Sequence, residues 1–308
     1  MTESVLNVAV AARDGIAGTL TPGFSLDNVV RQNLFPILPS DAHETVTGRL
    51  NVAVTKKTNF ESVIVNKFKS RDDLLQVLSS SAFIPFISGW TYPKFKGVTL
   101  MDGAISCPLP KIDGVNNLTI SPFANFGDIS PTENNLFSCQ VSQEVMEVNA
   151  TNIERMLVRS IFPKNIEGMK ELCKEGFTNA VQFLQGNFLL HCDRCASQLP
   201  QMKPEDSWTS YSTTFDRYKT CQECDKLKNS VVFELPVEVS DVFDRTSDNG
   251  NFDMKKLLNP FVGAPVFAKV LTSFVGCQAY NTLNSYICGE SVDFEGSYKC
   301  DQIYGASN

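Results

Sequence analysis

Residues 99–110 read TLMDGAISCPLP. The apolar run Val98 to Met101 stops at Asp102-Gly103-Ala104, an acid followed by two small residues. This pattern predicts a short buried strand that ends with a carboxylate at the edge of a sheet. Gly103 and Ala104 let the backbone turn tightly without crowding the acid. Two readings of Asp102 follow. Asp and Gly are common in turns after strands, so it is a turn residue. Alternatively, it is a general base within reach of a nucleophile.

The flanking sequence alternates strand and helix signals. Residues 1–20 read as a helix ending near Gly15 and Gly18, and Pro22-Gly23 as a turn. Ser25 is placed to cap a helix carrying Leu26, Val29, Val30 and Leu34 on one face. Ser40 is placed to cap a short helix through His43 and Glu44. Leu50, Val52 and Val54 alternate, and with ESVIVNKF at 61–68 they predict a β-hairpin. Ser70 and Asp73 have the spacing of a capping box before LLQVLSSS. The prolines of AFIPFISGWTYPKF (82–95) exclude a long helix. NLTISPF (117–123) reads as a further strand, and 151–186 as mostly helical with a break at Phe162-Pro163. Strands interleaved with helices indicate an α/β architecture.

Composition narrows the function classes. The chain has 308 residues, 43% of them hydrophobic, so it has material for a substantial core. The net charge is −7, which argues against a nucleic-acid partner. The N-terminal residues do not read as a signal peptide, and no apolar run reaches the roughly 18 residues of a membrane span. An intracellular, cytoplasmic protein is therefore expected, in which the ten cysteines do not build a disulfide framework. On that expectation the glycosylation patterns at Asn117 and Asn149 carry no weight.

The two histidines, His43 and His191, lie in settings that poorly support a Ser-His-Asp triad. No Gly-x-Ser-x-Gly elbow occurs. Ser88-Gly89 comes nearest, but Phe86 stands where the first glycine belongs. The sequence thus offers a base without an evident nucleophile.

Several stretches together resemble the patatin-like phospholipase domain family, in the branch containing adipose triglyceride lipase and adiponutrin. They are PGFSLDNVVRQNLFPILPSDAHETVTGRLNVAVT, FKSRDDLLQVLSSSAFIPFISG, FKGVTLMDGAISCPLP, NLTISPFANFGDISP and RMLVRSIFPKNIEGMKELCKEGFTNAVQFLQ. Their order and spacing follow the family over roughly residues 10–190. The resemblance implies a three-layer α/β sandwich with a mainly parallel sheet. It also implies hydrolysis of triacylglycerol or related acyl esters by a serine-aspartate dyad, without histidine, metal or organic cofactor. Asp102-Gly103-Ala104 matches the family's Asp-Gly-Ala motif residue by residue, so the proton-acceptor role carries over to Asp102. The chain departs from the family at Cys107 and Pro108, where the lipase branch has Asp and Asn. It also lacks the oxyanion loop and the serine elbow, as though Met1 fell near the helix that follows the elbow. Two explanations stay open: a truncated or incompletely read lipase, or a pseudoenzyme that binds lipid or a lipase partner. The implied partners are a neutral lipid or acylglycerol substrate and a lipid-droplet surface.

Residues 1–190 are accordingly expected to form a partial patatin-like domain, and 191–308 a cysteine-rich C-terminal region. HCDRC (191–195) and CQEC (221–224) are C-x-x-C pairs separated by 25 residues. Cys192, Cys195, Cys221 and Cys224 suit four thiolates around one structural Zn²⁺, with His191 as an alternative ligand. Four ordinary cysteines are the competing reading, and redox catalysis a third. Cys277, Cys288 and Cys300 lack ligand-like spacing. In VFAKVLTSFV (266–275), Phe267, Val270, Leu271, Phe274 and Val275 form an apolar stripe suited to a lipid surface or to a core.

Overall fold

The computed structural model describes residues 2–13, 24–133 apart from 86 and 113, 137–141, 144–148, 152, 155, 163–190 apart from 188, 192–197, 202, 203, 208, 221–246 and 297–299. The apolar stripe at 266–275, His191, and Cys277, Cys288 and Cys300 lie outside these residues.

The helices begin where local chemistry permits. α1 spans Thr2–Arg13 and α2 Leu26–Leu34, whose cap Ser25 accepts the Asn28 N–H at 3.4 Å. α3, Ala42–Val46, starts one residue later than the expected cap at Ser40: Asp41 occupies the cap position without a side-chain bond. α4, Arg71–Ser81, has the predicted cap, with the Ser70 hydroxyl accepting the Asp73 N–H at 3.0 Å. The return bond of the box shifts by one residue, since Asp73 accepts from the Lys69 N–H at 3.1 Å.

Strands β1 (Val52–Lys56) and β2 (Ser62–Val65) form the expected hairpin, paired antiparallel from Val52↔Val65 to Thr55↔Ser62. β4 (Val98–Asp102) pairs antiparallel with the other edge of β1, at Val54↔Asp102, Thr55↔Met101 and Lys56↔Leu100. β3 (Lys94–Phe95) lies outside β4, and β7 (Ser297–Lys299) outside β2, giving the order β3-β4-β1-β2-β7. β5 (Phe137–Val141) and β6 (Glu144–Val148) form a separate antiparallel hairpin.

This corrects the expectation of a mainly parallel sheet. Every strand pairing in the described sheets is antiparallel. The physical reason is connection length: the tight turn between β1 and β2 can join only antiparallel neighbours. What survives of the α/β reading is the crossover. β2 and β4 flank β1, both run opposite to it, and α4 connects them, so a helix links two like-directed strands with a third inserted between. The segment at 117–123 is not a full strand either. Its ladder is a single parallel bridge, Ile120↔Ile129, and Pro122 then removes a backbone donor.

The crossover defines the core. Leu74 and Val77 of α4 pack with Val52, Val54, Val63, Val65, Phe68, Phe95 and Leu100, all buried. The pleat puts Val52 and Val54 on one face with their partners Val65 and Val63, so the alternation read from sequence becomes the contact surface for α4. Lys56 ends β1 buried, only 2% exposed, and its ammonium pairs with Glu61 across the hairpin turn at 2.9 Å. Beyond the sheet, α5 covers Ile166–Gly186, capped by Asn165, and α8 covers Val237–Arg245. The short α6 (Asp193–Ala196) and α7 (Gln222–Ser230) carry the paired cysteines.

Gly103 sits where no side chain fits. A Cβ there would lie 2.2 Å from the Ala53 carbonyl oxygen and 2.8 Å from the Ala53 Cβ. Gly176, inside α5, has open space instead. Gly103→Ala is expected to lower stability in urea titrations by about 2–3 kcal/mol through overpacking against backbone. Gly176→Ala is expected to raise it by about 0.5–1 kcal/mol through helix propensity. Equal effects at the two sites would contradict this packing.

Candidate functional site

Asp102 closes β4 opposite Val54 and donates its own N–H to the Phe83 carbonyl at 2.9 Å. It caps the single 3₁₀ turn Gly103–Ile105, with Oδ1 accepting the Ala104 N–H at 2.8 Å. Both the Ser106 and Cys107 amides donate back to the Gly103 carbonyl, at 3.2 and 2.8 Å. The turn reading of this acid is therefore met, and it is compatible with a second role, because one carboxylate oxygen has several acceptor sites and the other is not engaged by the cap.

The supporting residues were not legible in the motif. Thr55, fully buried on β1, donates to the Asp102 carbonyl oxygen at 2.6 Å, and its hydroxyl lies 2.7 Å from that of Ser106. Ser81, ending α4, donates to the Ala53 carbonyl at 2.8 Å, the same carbonyl that excludes a side chain at Gly103. A threonine alternating out of phase with Val52 and Val54 was the available signal, and it reads equally as an ordinary strand residue. Cys107 is buried and disulfide-bonded, although no disulfide was expected of it.

The Asp102 carboxyl is half-buried. Burial pushes its pKa up from 3.8 to about 6, against the opposing pull of the Ala104 amide. Among the described residues, the Ala104 N–H is its only hydrogen-bond partner, and no serine hydroxyl reaches it. Ser88, the nearest approach to an elbow, is buried and its hydroxyl is spent locally: it donates to the Ala82 carbonyl at 3.1 Å and accepts the Ile84 N–H at 3.0 Å. His43 lies on α3 with Nε2 3.9 Å from Glu44 and makes no link to Asp102.

A cavity of about 380 Å³ opens elsewhere, between the 120–131 loop and α5. Ile120, Phe123, Ile129 and Leu172 line it, beside the Arg155–Glu175 ion pair at 2.6 Å. Asp102 is not part of its wall.

The four cysteines of the C-x-x-C pairs do converge. Their sulfurs all lie within 4.8 Å of one another. Sγ of Cys192 is 3.6 Å from that of Cys221 and 3.7 Å from that of Cys224, and Cys221 is 3.7 Å from Cys224. Cys192 and Cys221 each occupy the cap position of a helix, in extended conformation. The Cys224 amide and the thiols of Cys192 and Cys195 draw the Cys221 thiol down to about 7. Cys192 is driven the other way, to about 12: the Cys195 amide pulls it down, but desolvation and the thiols of Cys221 and Cys224 outweigh that pull. Gathered this closely, the sulfurs cannot all ionise without a compensating cation.

Comparison with known proteins gives consistent relatives. Human patatin-like phospholipase domain-containing protein 2 is 35% identical over 201 residues, 65% of this chain and 40% of that protein. The mouse 1-acylglycerol-3-phosphate O-acyltransferase Pnpla3 is 30% identical over 205 residues, 66% of this chain and 49% of that protein. Human patatin-like phospholipase domain-containing protein 4 is 34% identical over 170 residues, 54% of this chain and 66% of that protein. The chain thus spans less than half the length of the first two of these relatives. No family profile matches it, and no solved structure does. With the motif order, the Asp-Gly-Ala turn and these relatives in agreement, the chain belongs to the patatin-like phospholipase domain family, in the branch of adipose triglyceride lipase and adiponutrin.

Proposed function

We propose that this chain is the aspartate-bearing part of a lipid acyl hydrolase or acyltransferase that works through a serine-aspartate dyad. The observation that carries the reading is the Asp102 carboxylate: it is held at a strand end by backbone bonds, and burial raises its pKa to about 6. A base tuned into that range accepts a proton from a hydroxyl at neutral pH and gives it up again to a leaving group. In the proposed cycle a serine oxygen attacks an ester carbonyl while its proton passes to Asp102. Amide donors stabilise the oxyanion, and the departing alcohol takes the proton. Water then releases the acyl group in a hydrolase, and an acceptor alcohol does so in a transferase. One acyl-enzyme thus suits both kinds of relative, the phospholipase-domain proteins and the acyltransferase. The substrate class is an acylglycerol or related neutral lipid, met in the cytoplasm at a droplet or membrane surface. Among the described residues no helix is long and apolar enough to cross a membrane.

A second reading is supported by the spent hydroxyl of Ser88 and the lack of a Gly-x-Ser-x-Gly pattern in the 308 residues. In it, the chain alone is catalytically silent and binds lipid or a lipase partner. One experiment separates the two. The purified chain is assayed on tributyrin, alone and fused behind a segment that carries a glycine-rich loop and a Gly-x-Ser-x-Gly elbow. The chain alone is expected to be inert. The fusion is expected to turn over, and to lose about 10³-fold or more in rate with Asp102→Asn. A fusion that stays inert favours the binding protein, and turnover indifferent to Asp102→Asn removes the dyad.

The raised pKa has a consequence for stability that does not depend on activity. The folded carboxyl holds its proton more tightly than the unfolded one, about 6 against 3.8. Its contribution is therefore fully present below the unfolded value and is lost as pH rises through about 6. Asp102→Asn, which never ionises, is expected to gain stability relative to the parent between about pH 4 and pH 7 in urea titrations. An Asn–Asp difference that stays flat with pH would contradict the raised pKa.

A further inference from the structure

We propose that Cys192, Cys195, Cys221 and Cys224 bind one Zn²⁺ as a closed tetrathiolate centre, and that this centre clamps the chain between the two cysteine pairs onto the catalytic-type domain. The proposal stands apart from the acyl-transfer reading and survives if that reading fails.

Distance is the first support. A Zn–S bond of about 2.3 Å in a tetrahedron sets sulfur–sulfur edges of about 3.8 Å. Three of the sulfur pairs lie at 3.6, 3.7 and 3.7 Å, far from the roughly 2.05 Å of a disulfide. All four thiols are free of disulfide bonds.

The second support is the backbone. Each pair repeats one geometry: the first cysteine caps a helix, and the second lies in or next to its first turn. The amides at these helix starts point toward the sulfurs, and the Cys192 N–H lies 3.4 Å from Sγ of Cys224. Amide donors favour thiolates. Four thiolates gathered within 4.8 Å of one another need a compensating dication.

The third support is the poverty of the local core. In α7, Cys224 is the buried residue, while Leu227 is 42% exposed. A helix of nine residues with so little apolar burial is not held by packing. Metal binding supplies folding free energy in such regions. Four protein ligands also leave no open position, so the role is structural rather than catalytic.

The clamp reaches the rest of the molecule through contacts on either side of it. Gln185 near the end of α5 donates to the Lys228 carbonyl on α7 at 3.2 Å. Between the cysteine pairs, the Trp208 indole N–H donates to the Asn117 carbonyl at 2.8 Å, and its ring meets Phe183 edge-on at 5.4 Å. Asn116 donates to the Met202 carbonyl at 3.0 Å. Both anchors lie on the segment whose two ends the cysteines hold together.

The experiment measures metal on the purified full chain by mass spectrometry after gel filtration. About one zinc per chain is expected. Cys221→Ser/Cys224→Ser is expected to lose it, and Cys173→Ser, a free thiol outside the cluster, to keep it. If the double variant fails to fold, the parent chain decides. Titration with an organomercurial should release one zinc per four thiols, and Co²⁺ replacement should give the intense visible bands of a tetrahedral thiolate site. Metal removal should also shift Trp208 emission, a change absent in Trp208→Phe. Less than about half an equivalent of zinc would overturn the proposal, as would native thiols that titrate the same with and without chelator.

Discussion

The Gly103 backbone rests against the carbonyl of Ala53, closer than any side chain permits, and the position of Asp102 depends on that contact. β4 can end beside β1, with Asp102 opposite Val54, because the next residue has no Cβ. The turn is then fastened twice over. Thr55 holds the Asp102 carbonyl, and Ser81 holds the Ala53 carbonyl. The carboxyl is left to cap its own turn through Ala104. Every bond that positions the acid is made by backbone or by a buried hydroxyl, so the acid's placement is a property of the sheet and of the end of α4. The glycine after Asp102 is therefore a packing requirement rather than a matter of left-handed backbone.

The same arrangement accounts for the electrostatics. A partly buried carboxyl at a strand end that receives a single amide bond loses more from desolvation than it regains. The acid is thus costly to ionise, and the fold carries that cost through the crossover core of Leu74, Val77, Val54, Val63 and Leu100. Any further donor would lower its pKa, as the Ala104 amide already does in part.

The two ends of the described molecule are stabilised by different physics. The sheet and α4 bury a contiguous apolar cluster. The helices bearing the cysteines bury almost nothing apolar and converge instead on sulfur. Trp208 links the two regimes, with its indole on the 117 loop and its ring on α5.

Much of the local structure was readable in the amino-acid sequence. The caps at Ser25 and Ser70, the hairpin of β1 and β2, the helix ending at Gly186 and the acid at the end of β4 are short-range matters. They are set by side chains three or four residues apart, by alternation of period two, or by a glycine and a proline. The shift of one residue at α3 belongs to the same scale. The order of motifs also identified the family. The direction of β4 against β1 was not readable, because a period-two pattern is the same in either sense, and only the insertion of β1 between β2 and β4 makes that pairing antiparallel. The spacing of the two C-x-x-C pairs pointed to the meeting of their four sulfurs, but it could not show that Ser88 spends its hydroxyl on Ala82 and Ile84 or that Thr55 supports Asp102. The Thr55–Asp102 contact joins residues 47 positions apart, and the Ser88 bonds depend on how the 82–88 turn folds back on itself, so only the folded chain decides them.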